Sequence, residues 1–360
     1  NMVQPAKRIR NIKKYSITPQ EIWFKENKSN IQKLDWNESP RNLDIFIDEF
    51  IKLNTHPSIL SWYPDYNCTE LKEAIVKYSK LEEENICVFT GSDSALIDIC
   101  NCYVEEEDQV LCFSPTYDNF RVFAKQHGGI IKEFELDNNG HPCFKKLKKE
   151  LDYTKPKIVY IVHPVNPFGN YICKEELAVL IKKYSNILFV VDEAYIDFDL
   201  NESYSSYIEE FENLVITRTF SKAFGLAGMR IGYTLSSTAI AESLNKIRLG
   251  KNVSMIGQYL AKHALNSKKF FNDWFSEINN SKIKYYEFFE TNNIKYHKSY
   301  ANFILFYAKK CSQLIEDLRE RNIYVRDRSK IIKDGIRISV GDLDSTKTVI
   351  KLFNQKKHLF

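Results

Sequence analysis

Short apolar runs alternate with amphipathic segments through the first two thirds of the chain. Helical spacing of apolar positions occurs at 94–104, 117–127 and 173–184. Apolar runs of strand length surround these segments, at 85–90, 109–114, 129–136, 157–163, 186–192, 213–220 and 228–236. Near-continuous apolar strands that alternate with helices indicate a mostly parallel sheet that is buried on both faces. The pattern predicts an α/β fold whose large domain is a seven-stranded sheet flanked by helices.

The segments on either side of this sheet have a different pattern. Helical spacing at 41–56 and 68–84 precedes the sheet, and a long helical region follows from 238 to about 290. Further apolar runs lie at 303–308, 322–328 and 335–340, before a last helix at 344–355. This second part predicts a smaller α+β domain. We expect an N-terminal segment that packs with the small domain (1–45), a large domain (46–245) and a small C-terminal domain (246–360).

Composition narrows the classes of function. The 360 residues carry 51 basic and 47 acidic side chains, and the net charge of +4 gives no broad cationic surface for nucleic acid. The basic N-terminal stretch lacks the apolar centre of a signal peptide, and the apolar run ILFVV is far too short to cross a membrane. We therefore expect a cytoplasmic protein that binds neither nucleic acid nor membrane.

The cysteines indicate reduced thiols in place of disulfides. None belongs to a CxxC pair, and a chain of this length needs no disulfides for stability. Cys100 and Cys102 could bind a metal, but no histidine or second cysteine pair has ligand spacing, so we predict no metal site. The eight cysteines are Cys68, Cys87, Cys100, Cys102, Cys112, Cys143, Cys173 and Cys311.

Polar residues follow several predicted strands, at the ends where parallel sheets bind ligands. Gly91, Ser92 and Asp93 follow the strand at 85–90, where they could expose N–H groups to an anion or simply cap a helix. Neither a GxGxxG nor a GxxxxGK motif occurs, so nothing supports a dinucleotide site or a P-loop. Tyr117 could stack on a flat ring or cover the core, and Asn166, between two prolines, could bind a ligand or form a rigid turn.

Two charged residues at strand ends carry more information. Asp192 ends a strongly apolar strand, where a carboxylate needs either a cationic N–H group of a ligand or a salt bridge within the core. Lys222 follows the strand at 213–220 and is surrounded by groups suited to a phosphate, namely Thr219, Ser221 and Arg230. A lysine near cationic groups in an apolar pocket is nucleophilic.

Together these strand ends match the needs of one cofactor. They offer a lysine for a Schiff base, a carboxylate for a pyridine nitrogen, polar groups for a ring hydroxyl, an aromatic ring for stacking, and hydroxyl groups with an arginine for a phosphate. This combination describes pyridoxal 5'-phosphate (PLP).

The same motifs carry a family resemblance across about residues 30 to 345. The chain resembles the fold-type I PLP-dependent aminotransferases, and within them it is most similar to the histidinol-phosphate aminotransferase group. The motifs are LDWNESP, WYPDY, GSDSA, PTY, VNPFG, VDEAY, SKAFGLAGMRIGY, ANFILF, VRDRS and GIRISVG. VDEAY and SKAFGLAGMR are the most specific pair.

The resemblance assigns expected roles to individual residues. Lys222 would form the Schiff base and move the proton, Asp192 would pair with the pyridine nitrogen, and Tyr195 and Asn166 would contact the ring hydroxyl. Tyr117 would stack on the ring. The cofactor phosphate would lie among Gly91, Ser92, Asp93, Thr219, Ser221 and Arg230.

The remaining expected roles concern a second subunit and the substrates. Tyr63 would reach the cofactor phosphate of a neighbouring subunit, which implies a homodimer with shared active sites. Arg337 would bind the carboxylate of glutamate, Asn37 would lie at the mouth of the site, and Arg326 would help to bind a substrate phosphate. Some segments depart from the family pattern near the expected substrate, including HPVNPFG, LGKNVSM and the tryptophan at Trp36.

The resemblance predicts an aminotransferase that exchanges an amino group between glutamate or 2-oxoglutarate and a small phosphorylated carbonyl compound. Histidinol phosphate is the best single candidate for that compound's amino form. Another ketone phosphate, such as a triose phosphate, or a precursor of surface polysaccharide is the alternative, followed by a phosphothreonine-type PLP decarboxylase. A non-catalytic binding protein with a degenerate fold is disfavoured because Lys222, Asp192 and Arg230 are all present.

Overall fold

Two sheets organise the chain. The computed structural model describes residues 3–10, 12, 21–41, 43–53 and 61–360. The strands of this part are β1 (Gln32–Leu34), β2 (Ile86–Phe89), β3 (Gln109–Ser114), β4 (Ile130–Glu135), β5 (Ile158–Val162), β6 (Leu188–Asp192), β7 (Leu214–Thr219), β8 (Gly232–Ser236), β9 (Phe303–Tyr307), β10 (Ile323–Asp327) and β11 (Gly335–Ser339).

The larger sheet has seven strands in the order β2-β8-β7-β6-β5-β3-β4. Strands β7, β6, β5, β3 and β4 pair in parallel, and only β8 runs in the opposite direction, antiparallel to both β7 and β2. The predicted mostly parallel, seven-stranded α/β sheet is therefore confirmed. The strand order places β5, β6 and β7 side by side in the middle of the sheet.

The central strands are buried on both faces, as their apolar sequences require. Every residue of β5, β6 and β7 is buried. Successive side chains of a strand point to opposite faces, and in β5 Val159 and Ile161 join one core cluster while Ile158, Tyr160 and Val162 join the other. Helices on both faces complete these two layers.

The predicted helices lie close to observed ones, whereas the helices Lys7–Arg10, Phe144–Thr154 and Cys311–Glu320 were not predicted. The α-helices of the described part are α1 (Lys7–Arg10), α2 (Asp44–Leu53), α3 (Thr69–Ser79), α4 (Gly91–Tyr103), α5 (Asn119–Gln126), α6 (Phe144–Thr154), α7 (Lys174–Lys183), α8 (Thr238–Ile247), α9 (Met255–Asn266), α10 (Lys268–Thr291), α11 (Cys311–Glu320) and α12 (Leu343–Gln355). Short 3-10 turns lie at Glu21–Phe24, Glu83–Asn85, Ile196–Phe198, Leu200–Glu202, Tyr204–Tyr207, Ala227–Met229 and Lys357–Leu359.

Some predicted boundaries were wrong for local reasons. The helix predicted at 68–84 ends at Ser79, because Lys80 adopts a left-handed conformation with φ 61°. The strand predicted at 228–236 begins only at Gly232, because a 3-10 turn and a left-handed Arg230 precede it. The helical region after 238 is three helices, and the hydroxyl of Ser254 caps the second one by accepting from Gly257 N. Residues 54–56 of the helix predicted at 41–56 lie outside the described part.

The smaller sheet has the order β1-β10-β11-β9. Its three C-terminal strands match the predicted apolar runs, and β10, β11 and β9 pair antiparallel. Strand β1 was not predicted, because three residues are too few to show a periodic pattern. It pairs in parallel with β10 and so joins residues 32–34 to the C-terminal sheet.

In the described part of the chain, no helix combines the length and the apolar character that crossing a membrane requires. All eight cysteines are unpaired. Cys100 is buried among apolar side chains, and the Cys102 thiol donates to Ser243 O. Among the described residues no three His, Cys, Asp or Glu side chains cluster in a way that could hold a metal ion.

Candidate active site

Strands β5, β6 and β7 bring the predicted residues to one edge of the large sheet. Asn166 lies in the loop after β5, Asp192 is the last residue of β6, and Lys222 lies in the loop after β7. These three strands are adjacent and parallel, so their carboxyl ends meet at the same edge. The smaller sheet contributes Arg326 and Arg337, and the segment that follows β1 contributes Asn37.

Asp192 is a buried carboxylate with one oxygen left without a partner. Its Oδ2 accepts a hydrogen bond of 2.7 Å from the hydroxyl of Tyr160. The Thr217 hydroxyl and Ala194 N lie near the carboxylate and favour its ionised form, but neither is in hydrogen-bonding geometry with the buried Oδ1. Burial raises the pKa of Asp192 to about 6, while the hydrogen bond from Tyr160 opposes that rise. A buried acceptor of this kind is costly unless a donor meets it, so Oδ1 fits an N–H group of a ligand.

The neighbouring Glu193 forms the salt bridge that was considered as an alternative for Asp192. Its carboxylate lies 3.0 Å from Nε of Arg218, and both side chains are almost completely buried. Ser203 Oγ and Tyr204 N also donate to Glu193. The core ion pair is therefore complete without Asp192.

Lys222 is positioned as a nucleophile. Its Nζ donates a hydrogen bond of 2.7 Å to the backbone carbonyl of Trp36. Burial, together with the nearby positive charge of Arg337, lowers the pKa of Lys222 to about 8. A lower pKa leaves a larger fraction of the amine neutral near pH 7, and the neutral amine is the nucleophilic form.

The first turn of α4 forms an anion cradle with Arg230. A Cβ atom on Gly91, whose φ is +78°, would lie 2.7 Å from Arg230 Nη2, and one on Gly232 would lie 2.4 Å from Ser92 N. Glycine is therefore required at both positions for the guanidinium and strand β8 to approach the start of the helix. Helix N-termini and arginine side chains both favour phosphate.

Side chains around this cradle already contact one another. Arg230 Nη1 donates to Ser221 Oγ at 3.4 Å, and its Nη2 lies 3.9 Å from Asp93 Oδ2. The hydroxyl of Tyr117 donates to Asp93 Oδ1 at 2.9 Å, which ties the tyrosine to the first turn of α4. Thr219 Oγ1 accepts from Ser221 N, so this threonine shapes the loop after β7.

A hydrogen-bonded chain joins the two sheets next to these residues. Arg337 Nη1 donates to Asn166 Oδ1 at 2.8 Å, and Asn166 Nδ2 donates to the Tyr195 hydroxyl oxygen at 3.2 Å. Asn37 Nδ2 donates to the same oxygen at 3.0 Å. Since the Tyr195 oxygen accepts twice and its O–H has no described acceptor, that proton is available to a ligand oxygen.

Arg337 is a buried cation without a carboxylate partner among the described residues. Its guanidinium donates to Asn166 and to the carbonyl of Asp35, at 2.7 Å, while Nε has no partner. Burial lowers its pKa to about 10, and the positive charges of Arg328 and Arg326 act in the same direction. Arg337 therefore makes no ion pair with a carboxylate in the described part of the chain, and this leaves the arginine suited to an anionic ligand.

Arg326 lies directly opposite Arg337 in the ladder between β10 and β11. It is partly exposed and makes no ion pair with a described residue. The adjacent Asp327 accepts hydrogen bonds from the backbone and hydroxyl of Ser329.

Tyr63 is set apart from the other predicted residues. Its side chain is 78% exposed, and the Lys251 ammonium packs over its ring at 4.1 Å. The described contacts of this single chain do not connect Tyr63 with Lys222 or the anion cradle.

Sequence reasoning missed two kinds of contact. Tyr160 was interpreted only as part of an apolar strand, although its hydroxyl is the hydrogen-bond donor to Asp192. The backbone carbonyls of Asp35 and Trp36 hold Arg337 and Lys222, and a carbonyl leaves no signal in the residue type.

Comparison with known proteins identifies the family. The model of the family "Aminotransferase class I and II" matches residues 34–352. The chain belongs to the class I and II aminotransferases. This aminotransferase is 34% identical over 344 residues to a dihydroxyacetone phosphate transaminase of Campylobacter jejuni, covering 94% of this chain and 93% of the relative. It is 32% identical over 343 residues to a histidinol-phosphate aminotransferase of Ruminiclostridium cellulolyticum, covering 88% of this chain and 90% of the relative.

Solved structures agree with the fold. The aminotransferase has a TM-score of 0.86 and 23% identity to histidinol-phosphate aminotransferase from Sinorhizobium meliloti in complex with PLP, covering 99% of this chain and 98% of the other. An L-threonine-O-3-phosphate decarboxylase from Porphyromonas gingivalis gives a TM-score of 0.74 at 20% identity, covering 91% and 99%. At these identities the likeness concerns the fold. Family and relatives together establish a PLP-dependent transaminase.

Proposed function

We propose that this aminotransferase exchanges an amino group between glutamate or 2-oxoglutarate and a small phosphorylated carbonyl compound. The observation that carries the proposal is the pairing of Arg326 and Arg337 on adjacent strands, with no carboxylate partner among the described residues. Two cations held side by side suit substrates with a carboxylate or a phosphate. The two curated relatives described above are both named for phosphorylated compounds, which supports the same class.

The residues at the sheet edge fit PLP, because each polar part of the cofactor would meet a suitable group. Asp192 Oδ1, the buried oxygen without a partner, would accept from the ring nitrogen. The O–H of Tyr195 would donate to the ring oxygen, with Asn166 beside it. Tyr117 would stack on the ring.

The cofactor phosphate would lie in the anion cradle. The N–H groups at Gly91, Ser92 and Asp93, the Ser221 hydroxyl and the Arg230 guanidinium would hold it, and Thr219 would shape the loop. An anion there would also offset the positive charge of Arg230. The carboxylate of Asp93 offsets this charge weakly, because its Oδ2 lies 3.9 Å from Arg230 Nη2.

Bound PLP supplies an electron sink, which lets an amino group and a proton be exchanged at the substrate carbon. Lys222 would then move the proton at Nζ, since its pKa of about 8 allows both protonation states near neutral pH. Asp192, ionised above pH 6, would keep the ring nitrogen protonated. The enclosing segment around Trp36, whose carbonyl accepts from Lys222, orients the amine.

The two arginines would divide the recognition of the substrates. Arg337 is buried beside Asn166 and Tyr195, so it would bind the carboxylate of glutamate close to the reacting carbon. Arg326 is nearer to solvent and would bind the phosphate at the far end of the acceptor. Asn37, fully buried and bonded to Tyr195, would form one wall of the site.

Two phosphorylated acceptors are favoured by specific relatives. Similarity to the histidinol-phosphate aminotransferase of R. cellulolyticum supports, as the acceptor, the ketone that corresponds to histidinol phosphate. Similarity to the C. jejuni relative, which is 34% identical over 94% of this chain, supports dihydroxyacetone phosphate as the acceptor. Both compounds share a carbonyl group next to a phosphorylated carbon, which Arg326 would recognise in either case.

A half-reaction experiment tests the proposal. The PLP-loaded enzyme is first converted with glutamate, and the cofactor spectrum is then followed after addition of dihydroxyacetone phosphate, imidazole acetol phosphate or unphosphorylated dihydroxyacetone. We expect one of the phosphorylated ketones to restore the original spectrum at least about tenfold faster than the unphosphorylated one, the scale of one charged recognition contact. No conversion by glutamate, or equal rates with and without phosphate, would contradict it.

A homodimer with shared sites belongs to the same proposal. Tyr63 is exposed and lies next to Trp62, which is 68% exposed, and Leu249 is 76% exposed in the segment that carries Lys251. Large exposed aromatic and apolar side chains are typical of protein interfaces. Tyr63 of one subunit would then reach the cofactor phosphate of the other.

We also propose a cytoplasmic location and the division into domains predicted from the sequence. The unpaired state of all eight cysteines supports a reducing compartment. Pairing of β1 with β10 supports packing of residues 32–34 of the N-terminal segment (1–45) against the small domain (246–360), whereas Arg8 Nε donates to Gln126 O in the large domain. The seven-stranded sheet lies within the large domain (46–245).

A further inference from the structure

We propose that Arg328 is a specificity-determining residue, which forms a phosphate clamp together with Arg326 and makes the site select a dianionic phosphate at the far end of the acceptor. The inference rests on the proposed function, because it concerns the same acceptor site. It adds Arg328, which is not among the predicted site residues, to the acceptor site.

The strand register places Arg328 on the same face as the other two arginines. Arg326 pairs with Arg337 and Asp327 with Ile336, and Arg328 N donates to Gly335 O at 3.0 Å, which continues the ladder. Alternate residues of a strand share a face, so Arg326 and Arg328 point the same way, with Cα atoms roughly 6.6 Å apart. Between them, Asp327 points to the opposite face and is exposed.

Arg328 is held in place and largely buried. Only 9% of its surface is exposed, in contrast to the partly exposed Arg326. Its backbone carbonyl accepts from Ile331 N at 2.9 Å and from Ile332 N at 2.8 Å, so a compact turn follows the residue at once. A buried arginine in a fixed backbone is a preorganised recognition group, because little freedom remains to be lost on binding.

The charge of Arg328 reaches the active site. It lowers the pKa of Arg337 and opposes the rise in the pKa of Tyr195, the residue that the two amides hold. Three cationic groups, at Arg326, Arg328 and Arg337, therefore act on one region of the small sheet. Like charges placed together in a partly buried region create a positive potential, which favours a bound anion.

The number of arginines matches the charges of the two substrates. A phosphate monoester carries about −1.5 to −2 at pH 7 and has three strong acceptor oxygens, whereas a carboxylate carries a single charge. Arg337 is turned towards Asn166 and would take the carboxylate of glutamate. Arg326 and Arg328 would bind the phosphate, and their spacing would let each bind a different oxygen.

Arg328→Gln tests the clamp, with Lys330→Gln as a matched control that removes an exposed positive charge two residues away. We expect Arg328→Gln to lower kcat/KM for dihydroxyacetone phosphate by about tenfold or more, mainly through KM. Amino transfer to unphosphorylated dihydroxyacetone and the glutamate half-reaction should change by less than about twofold. Arg328→Lys should recover part of the loss, since it restores the charge without the planar fork.

A binding measurement on the PLP-loaded enzyme gives an independent readout. Glycerol 3-phosphate carries the phosphate but no carbonyl group, so it reports binding without reaction. Its dissociation constant should rise by about tenfold in Arg328→Gln and stay constant in Lys330→Gln. Unfolding of Arg328→Gln would be seen as a lowered melting temperature, and Arg328→Lys then carries the test.

Two outcomes would overturn the inference. Equal losses with phosphorylated and unphosphorylated acceptors would show that Arg328 only maintains the fold, and unchanged constants would show that it does not face the ligand. Failure of the wild-type enzyme to exchange with glutamate would contradict the proposed function itself. In that case the binding of glycerol 3-phosphate still decides whether Arg328 takes part in a phosphate site.

Discussion

Removing the hydroxyl of Tyr160 should shift the pH range in which the protein binds PLP. Tyr160 is fully buried, its ring stacks on Phe120 with centroids 4.1 Å apart, and its hydroxyl donates to Asp192 Oδ2 at 2.7 Å. Tyr160→Phe keeps the ring and its stacking, and it deletes only the hydrogen bond.

The size of the shift follows from the energy of that bond. A hydrogen bond to a charged group contributes about 1.5–3 kcal/mol, and one pKa unit corresponds to about 1.4 kcal/mol. The bond stabilises the ionised carboxyl, so its loss raises the pKa of Asp192 from about 6 to roughly 7–8. Both groups are buried, so solvent does not screen this effect. Only ionised Asp192 can keep a ring nitrogen protonated. As the pH is lowered, the variant should therefore begin to lose affinity for PLP at a higher pH than the wild type.

The assay is the dissociation constant of PLP as a function of pH. In the wild type we expect the affinity to weaken below about pH 6, and in Tyr160→Phe already below roughly pH 7–8. Tyr204→Phe is the matched control, because Tyr204 is equally buried but donates to the carbonyl of Ile172. If folded Tyr160→Phe protein loses PLP affinity at the same acidic pH as the wild type, the assignment of Asp192 to the ring nitrogen is refuted.

Four further outcomes follow from the proposed site. Lys222→Ala should abolish turnover while the fold is kept, as shown by activity and circular dichroism, and wild-type-like turnover would rule out the assigned role. Asp192→Asn should lower the transamination rate by ~10², and a change below about threefold would contradict its role. Mixing inactive Lys222→Ala and Tyr63→Phe chains should restore some activity if each active site uses residues of both subunits. If both variants are impaired and the mixture is no more active than either one, Tyr63 is not shared between subunits. Arg326→Ala should raise KM for the phosphorylated acceptor by roughly tenfold and spare the glutamate half-reaction, whereas Arg337→Ala should impair that half first, as single-turnover spectra would show.

The residue types at the ends of apolar strands were sufficient to predict the sheet and the edge where the site lies. Buried parallel strands read as continuous apolar runs, so a charged residue that ends one stands out, as Asp192 does. The sequence could not show that Glu193, and not Asp192, forms the ion pair with the core arginine Arg218. The two carboxylates are adjacent and point to opposite sides, and only the fold shows on which side Arg218, twenty-five positions away, lies.

Other features left no signal that a single sequence could carry. Tyr160 lies in the apolar strand IVYIV, where an aromatic residue is expected for packing alone, and its partner is thirty-two positions away. The contact from Lys222 to the Trp36 carbonyl joins residues 186 positions apart through a backbone atom that every residue has. The left-handed conformation of Arg230 is unusual for a residue with a side chain, so the propensity rules predicted a strand there.

Transfer of labelled nitrogen from glutamate tests the central claim most directly. The PLP-loaded enzyme is incubated with nitrogen-labelled glutamate and either dihydroxyacetone phosphate or imidazole acetol phosphate, and the products are analysed by mass spectrometry beside a Lys222→Ala control. We predict 2-oxoglutarate and a labelled phosphorylated amine in equal amounts with the wild type, and neither product with Lys222→Ala. Release of carbon dioxide without labelled amine, or label transfer that survives in Lys222→Ala, would contradict the account.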